Sequence, residues 1–236
     1  MKASFSEERQ TYGMEYTLSH PFWPVKLPGG TAYGISQQWS LSPALRGWGC
    51  GTAAALMVLG YLHLYHTGGQ SAPVDALVPA PSQTDCRTML DTAGRKYFPV
   101  LPRHGINGLS LAFLLNRYFR RFHMPYTARW RSVNVLPALT RMLQEDIPVI
   151  FSVGPDFPLL WQKHPLDLYA HPGDEKSVQK VRAHYMVVTG YRNGWLRLSS
   201  WGREYYLPAA DWNAHHKYHS GYLVDGIVQI RRRKEN

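Results

Sequence analysis

The chain has 236 residues with 44% hydrophobic, 13% aromatic and 18% charged side chains, a balance that builds a buried core and excludes a disordered or fibrous class. Two cysteines, Cys50 and Cys86, are too few for a disulfide-stapled secreted scaffold. The formal charge of +10 is scattered apart from the run RRRKEN (231–236), with no zinc-finger, helix-turn-helix or RNA-recognition signature, so no nucleic-acid partner is expected.

Residues 1–45 are rich in Gly, Pro, Ser and Tyr without helical period, and read as an extended lead-in with turns at 28–30 and at Pro43. Their first sixteen residues lack the apolar core of a signal peptide. The longest apolar stretch, 53–64, is too short to span a bilayer, so a cytoplasmic protein is expected. The remainder, 46–236, reads as one domain. A helix is predicted over 51–66, with Ala54, Met57, Val58, Tyr61, Leu62 and Tyr65 forming one buried stripe, ended by Gly68 and Gly69. A Pro-containing loop region over 67–100 has room for a helix at 83–93. Asn107 is placed to cap a helix over 109–122, with Leu111, Leu114, Leu115, Tyr118 and Phe122 inward.

The alternation in PYTARWRS predicts a strand, followed by a helix over 135–144 whose first turn accommodates Pro137. IPVIFSV reads as a buried strand, and 154–181 as a long polar loop with prolines at 155, 158, 165 and 172. Three β-branched and aromatic runs follow: AHYMVVTGY, WLRLSSW and REYYLP. Asn193–Gly194 is a hairpin signal between the first two, and Gly202 separates the others. YLVDGIVQIRR closes the chain as a strand. Helices first and antiparallel strands later predict an α+β fold.

The chemistry concentrates at GWGCGTAAALMVLGYL. Cys50 stands between Gly49 and Gly51 at the head of the helix, where the helix N-terminus favours a thiolate. The two glycines leave room for a substrate backbone, and the Cys50 amide is available to a developing oxyanion. A general base is needed, and His184 opens a strand with apolar neighbours, a rigid mounting for an imidazole.

CGTAAALMVLGYL together with HYMVVTGYRNGWLRLSSWG resembles the papain-like superfamily of cysteine peptidases, and more closely its bacteriocin-processing branch, which trims double-glycine leaders. HGINGLSLAFLLNRY and VLPALTRMLQEDIPVIFSV resemble the intervening pieces, so the likeness extends over about 46–211. The resemblance implies a papain-like fold, a helix-mounted Cys50 nucleophile and His184 on the antiparallel sheet. It implies hydrolysis of a peptide or protein through a thioester, with no cofactor and no metal. The family's third residue, an Asp or Asn that orients the imidazole, is absent. LSSWG places Ser199 where that residue would be, and Ser200 is the candidate reached by counting from His184. The oxyanion glutamine of the family falls on Ala44; Gln37 and Gln38 lie farther back, and Gln38 is the preferred candidate. Trp48 and Trp201 are candidate walls of the substrate cleft.

Two other readings stay open. A papain-like module without full catalytic machinery would bind a peptide or protein, and the same Cys–His pair also serves acyl transfer or deamidation. Cys86 reads as structural. His215, His216 and His219 in HHKYH would share a face as metal ligands only on a helix, and a solvated loop is expected there instead.

Overall fold

The computed structural model describes residues 15–67 and 80–233. In chain order its elements are β1 (Glu15–Thr17), β2 (Pro24–Leu27), β3 (Gly30–Tyr33), α1 (Pro43–Trp48), α2 (Cys50–Tyr65), α3 (Gln83–Lys96), α4 (Gly108–Arg121), β4 (Tyr126–Arg131), α5 (Val135–Gln144), β5 (Val149–Val153), β6 (Leu166–Leu168), β7 (Gln179–Val181), β8 (His184–Arg192), β9 (Trp195–Ser200), β10 (Arg203–Pro208), α6 (Ala209–Tyr218) and β11 (Gly226–Arg232). A single 3-10 turn, Gln37–Trp39, precedes α1.

The architecture is α+β. A seven-stranded antiparallel sheet runs β10–β9–β8–β5–β11–β4, with β1 pairing to β8 beyond that path. β2 and β3 form one small hairpin, and β6 and β7 another within the long 154–181 connection. Register fixes what matters for function. Val153 at the end of β5 faces His184 at the start of β8, and Ser152 faces Tyr185. Asn193 and Gly194 form the β8–β9 turn with φ of 49° and 84°, the backbone a two-residue hairpin loop requires.

α2 packs against β8 and β5, and every residue from Gly51 to His63 is buried. The expected single stripe is therefore wrong. Apolar residues occupy all faces of AAALMVLGYL, so the helix is enclosed, not half-submerged. Gly60 admits the Trp23 indole, whose ring atoms lie 2.8–3.0 Å from where a Cβ would stand. Phe22, Trp23, Val25 and Ile35, from the expected lead-in, belong to the same core as α2 and the sheet.

Two local expectations are corrected. Pro43 opens α1 behind a Ser42 cap in place of making a turn, because its missing N–H costs nothing at a first helical position. The HHKYH segment lies mostly on α6, with His215 and His216 buried, and not in a solvated loop. The expected stop at Gly68–Gly69 lies outside the described residues. Among the described residues, no helix is long and apolar enough to cross a membrane.

Candidate active site

Cys50 and His184 come from elements far apart in sequence and line one cavity of about 650 Å³. α2 presents Cys50 as its first residue, directly after Gly49, where α1 and α2 meet. The junction demands glycine at 49: an added Cβ would stand 2.4 Å from the Leu45 carbonyl oxygen. Gly51 packs toward Tyr185, Ile106 and Leu111. Neither glycine lines the cavity. Their expected role against substrate gives way to close helix packing.

His184 is held by its surroundings. Its Nε2 is 2.7 Å from Ser200 Oγ, and the Trp201 indole stacks on the imidazole with centroids 4.2 Å apart and planes 12° from parallel. Trp201 is thus a cover on the imidazole; it does not line the cavity, whereas Trp48 does. Ser199 faces the other way. Its hydroxyl donates to the Tyr33 carbonyl at 2.8 Å, so Ser200, not Ser199, partners the imidazole. Successive residues of a strand point to opposite faces, and only one of the two serines can reach His184.

The backbone beside these residues is strained. Ala183, just before His184, has φ 50°, and Trp201, just after Ser200, has φ 48°. A left-handed conformation is costly for a bulky non-glycine residue and persists only where the surroundings enforce it. Trp201 and Gly202, the latter at φ 74°, make the two-residue β9–β10 turn that swings the indole over His184.

Gln37, one of two adjacent glutamines, lines the cavity and is buried. Gln38, the preferred candidate, is exposed and outside the cavity. Both amides donate to the Arg46 carbonyl, at 2.9 Å for Gln37 and 3.1 Å for Gln38, so the two differ in burial and cavity contact and not in this partner. The remaining walls are mainly apolar, with Ile106, Leu109, Trp130, Val153 and Leu223, joined by Ser152 and the Gly154 backbone. None of these wall residues carries a local sequence signal, since helix, strand and loop segments converge here only in the fold.

The electrostatics differ from the expectation of a preformed thiolate. Burial raises the Cys50 thiol above its ordinary range, against the opposing pull of backbone hydrogen bonds at Tyr185, Gly51 and Cys50 itself. Burial also lowers His184 to about 3. Both groups are therefore neutral near pH 7 in the free protein. Desolvation outweighs the α2 terminus, and Ser200 brings no charge to offset it. Cys86, on α3, is a free thiol that burial pushes up to about 12, which agrees with an inert core residue.

Compared with family models, curated proteins and solved structures, the chain matches none.

Proposed function

We propose that the chain is a papain-like cysteine hydrolase, related to the bacteriocin-processing branch, that cleaves a peptide or protein amide. The observation that carries this reading is the convergence of Cys50, at the head of buried α2, and His184, at the head of β8, on one cavity, with Ser200 and Trp201 fixing the imidazole. The Gln37–Cys50–His184 order along the chain agrees with the family pattern.

The chemistry follows from neutral partners. With Ser200 Oγ accepting from Nε2–H, the His184 Nδ1 lone pair is free for a proton. Cys50 Sγ forms a bond to the substrate carbonyl carbon while its proton passes to Nδ1. The oxyanion takes donors from Gln37 and the Cys50 amide. Collapse of the tetrahedral species breaks the C–N bond, and the Nδ1 proton leaves with the amine. Water then attacks the thioester, His184 accepts its proton, and that proton returns to Sγ as the acid departs. The apolar walls around Trp48, Leu109 and Trp130 suit a large apolar side chain beside the scissile bond. Two free thiols, Cys50 and Cys86, agree with a reducing, cytoplasmic setting.

A second reading, a cleft that binds a peptide without cutting it, draws on one observation: Ser200 gives the imidazole no charge, and thiol and imidazole rest neutral. One experiment separates the two. Peptide amides bearing large apolar residues are incubated with wild-type protein and with Cys50→Ala, and both cleavage and binding are followed. Cleavage by wild type alone supports the hydrolase. Equal binding by both proteins, with no cleavage and no labelling of Cys50 by a peptide-like electrophile, overturns it in favour of the binding module.

A further inference from the structure

Behind the cavity rim lies a second cluster of titratable groups that the proposed reaction does not use. We propose that Asp156, His164 and His219 form a binding site for a divalent transition-metal ion of the zinc type, backed by His215 and Asp225.

The three side chains offer ligand atoms that all lie within 4.8 Å of one another, the one such group among the described residues. Zinc at about 2.0–2.2 Å from each ligand would hold them about 3.4 Å apart, so small side-chain rotations close the set. Asp156 is 2% exposed and sends its two oxygens in different directions. Oδ2 accepts from Arg182 Nε at 3.2 Å, while Oδ1 faces His164 Nδ1 at 2.5 Å and His219 Nδ1 at 3.9 Å. Arg182 is further tied to the Leu160 and Gln162 carbonyls, so it orients the carboxylate and leaves Oδ1 to the histidines.

The two imidazoles stack face to face, centroids 3.8 Å apart. Protonating both rings would set two cations against each other. A single shared cation removes that conflict, and imidazole with carboxylate is a donor set that zinc accepts. His219 also caps the C-terminal end of α6, where the helix dipole favours positive charge.

His215, one helical turn earlier, supplies an independent sign of a ligand. Its Nδ1 is 2.7 Å from Asp225 Oδ2, and the residue is 2% exposed. Its Nε2 is buried with no hydrogen-bond partner. A carboxylate on one imidazole nitrogen and an open opposite nitrogen is the arrangement that orients metal-binding histidines. The ring centroid lies 5.5 Å from that of His219. A buried polar atom without a partner is costly unless something occupies it, but His215 stands outside the three residues whose ligand atoms approach within 4.8 Å of one another, so it backs the site and is not one of its ligands.

The ion would tie the chain after β5, through Asp156 and His164, to the end of α6. Gly154 and Pro155, just before Asp156, line the cavity, and Asp225 accepts from the Gly154 amide at 2.5 Å. The metal would thus brace the rim of the cavity, whatever reaction the cavity hosts.

The test uses the full chain stripped by a chelator, with zinc delivered in competition with a chromophoric chelator, and with Co²⁺ as a spectroscopic stand-in. The expected result is one tight equivalent, weakened at least tenfold in His164→Gln and in His219→Gln and unchanged in Cys50→Ala. Co²⁺ should give visible bands without thiolate charge transfer. His164 is exposed over 44% of its side chain, so its replacement leaves the fold intact and keeps the comparison informative. His215→Gln, which keeps all three ligands, should weaken binding less than His164→Gln or His219→Gln does. No zinc uptake by wild type, uptake that survives both His164→Gln and His219→Gln, or uptake lost with Cys50 would overturn the site.

Discussion

His184 Nε2 and Ser200 Oγ lie 2.7 Å apart on neighbouring strands, so the imidazole is held by a neutral hydroxyl and not by a carboxylate. The contact fixes the ring and its tautomer. It does not stabilise an imidazolium as a charge would, and burial is what lowers His184 and raises the Cys50 thiol.

Ser200 and Ser199 therefore separate in a mutational test. Ser200→Ala should slow labelling of Cys50 by a peptide-like electrophile about fivefold to tenfold, the worth of one neutral hydrogen bond of about 1 kcal/mol. Ser199→Ala should leave labelling unchanged. It strips the donor from the partly buried Tyr33 carbonyl and should cost about 1 kcal/mol in denaturant unfolding. Equal labelling by wild type and Ser200→Ala would remove Ser200 from the site.

The thiol itself should titrate high. Alkylation of Cys50 by iodoacetamide is expected to rise with pH to a midpoint above about 8.5, the value of a free cysteine. Ser200→Asp would put a negative charge beside Nε2, raise His184 and, through the imidazolium, lower the thiol. Each unit by which the thiol falls is about a tenfold gain in thiolate near neutrality, so alkylation at pH 7 should be at least tenfold faster than in wild type. A wild-type midpoint below 7 would show a preformed ion pair.

Much of the scaffold was legible because local and global signals agreed. The Asn107 side chain accepts from the Ser110 amide at 2.9 Å as a cap should, and α5 spans Val135–Gln144 as expected, with Pro137 in its first turn. Other features depend on partners that no local pattern reveals. HHKYH is polar in sequence yet carries buried histidines, because His215 finds Asp225 and His216 stacks on Trp212. The thiol and imidazole were readable from a glycine-flanked cysteine and a strand-opening histidine. Their charge state was not, since it depends on burial that only the fold sets. The choice between Ser199 and Ser200 turns on one residue of strand register, which reverses the side-chain direction without altering composition; the choice between Gln37 and Gln38 turns on which side of a 3-10 turn each one occupies.

Gln37 and Gln38 give the next test. If Gln37 supplies an oxyanion donor, Gln37→Ala should reduce kcat by roughly 10²–10³ with a small change in KM, as loss of one such donor does. Gln38→Ala should fall within about twofold of wild type, because its exposed amide loses only a contact with the Arg46 carbonyl. The reverse pattern would restore Gln38 as the donor.

Stability should fall on mild acidification, before most carboxylates titrate. Burial lowers His184 to about 3 and His63 to about 4, against 6.5 for an unperturbed imidazole. Between pH 6.5 and 4 the unfolded chain binds protons that the folded chain refuses, so unfolding becomes easier as pH drops, by up to about 1.4 kcal/mol per pH unit for each group. Above 6.5 both states are neutral and the contribution is constant. Carboxylates held low, such as Asp156 at about 2, lose their contribution only below the ordinary carboxylate range. Thermal melts from pH 7 to 4 should therefore show a Tm decline that begins near 6.5 and that is shallower in His63→Gln. An amide does not titrate, so the variant should be less stable at pH 7, where the His63 contacts with Tyr118 and Thr67 are lost, while its disadvantage shrinks toward pH 4. Parallel curves for the two proteins would mean that His63 takes up its proton in the folded state as readily as in the unfolded chain.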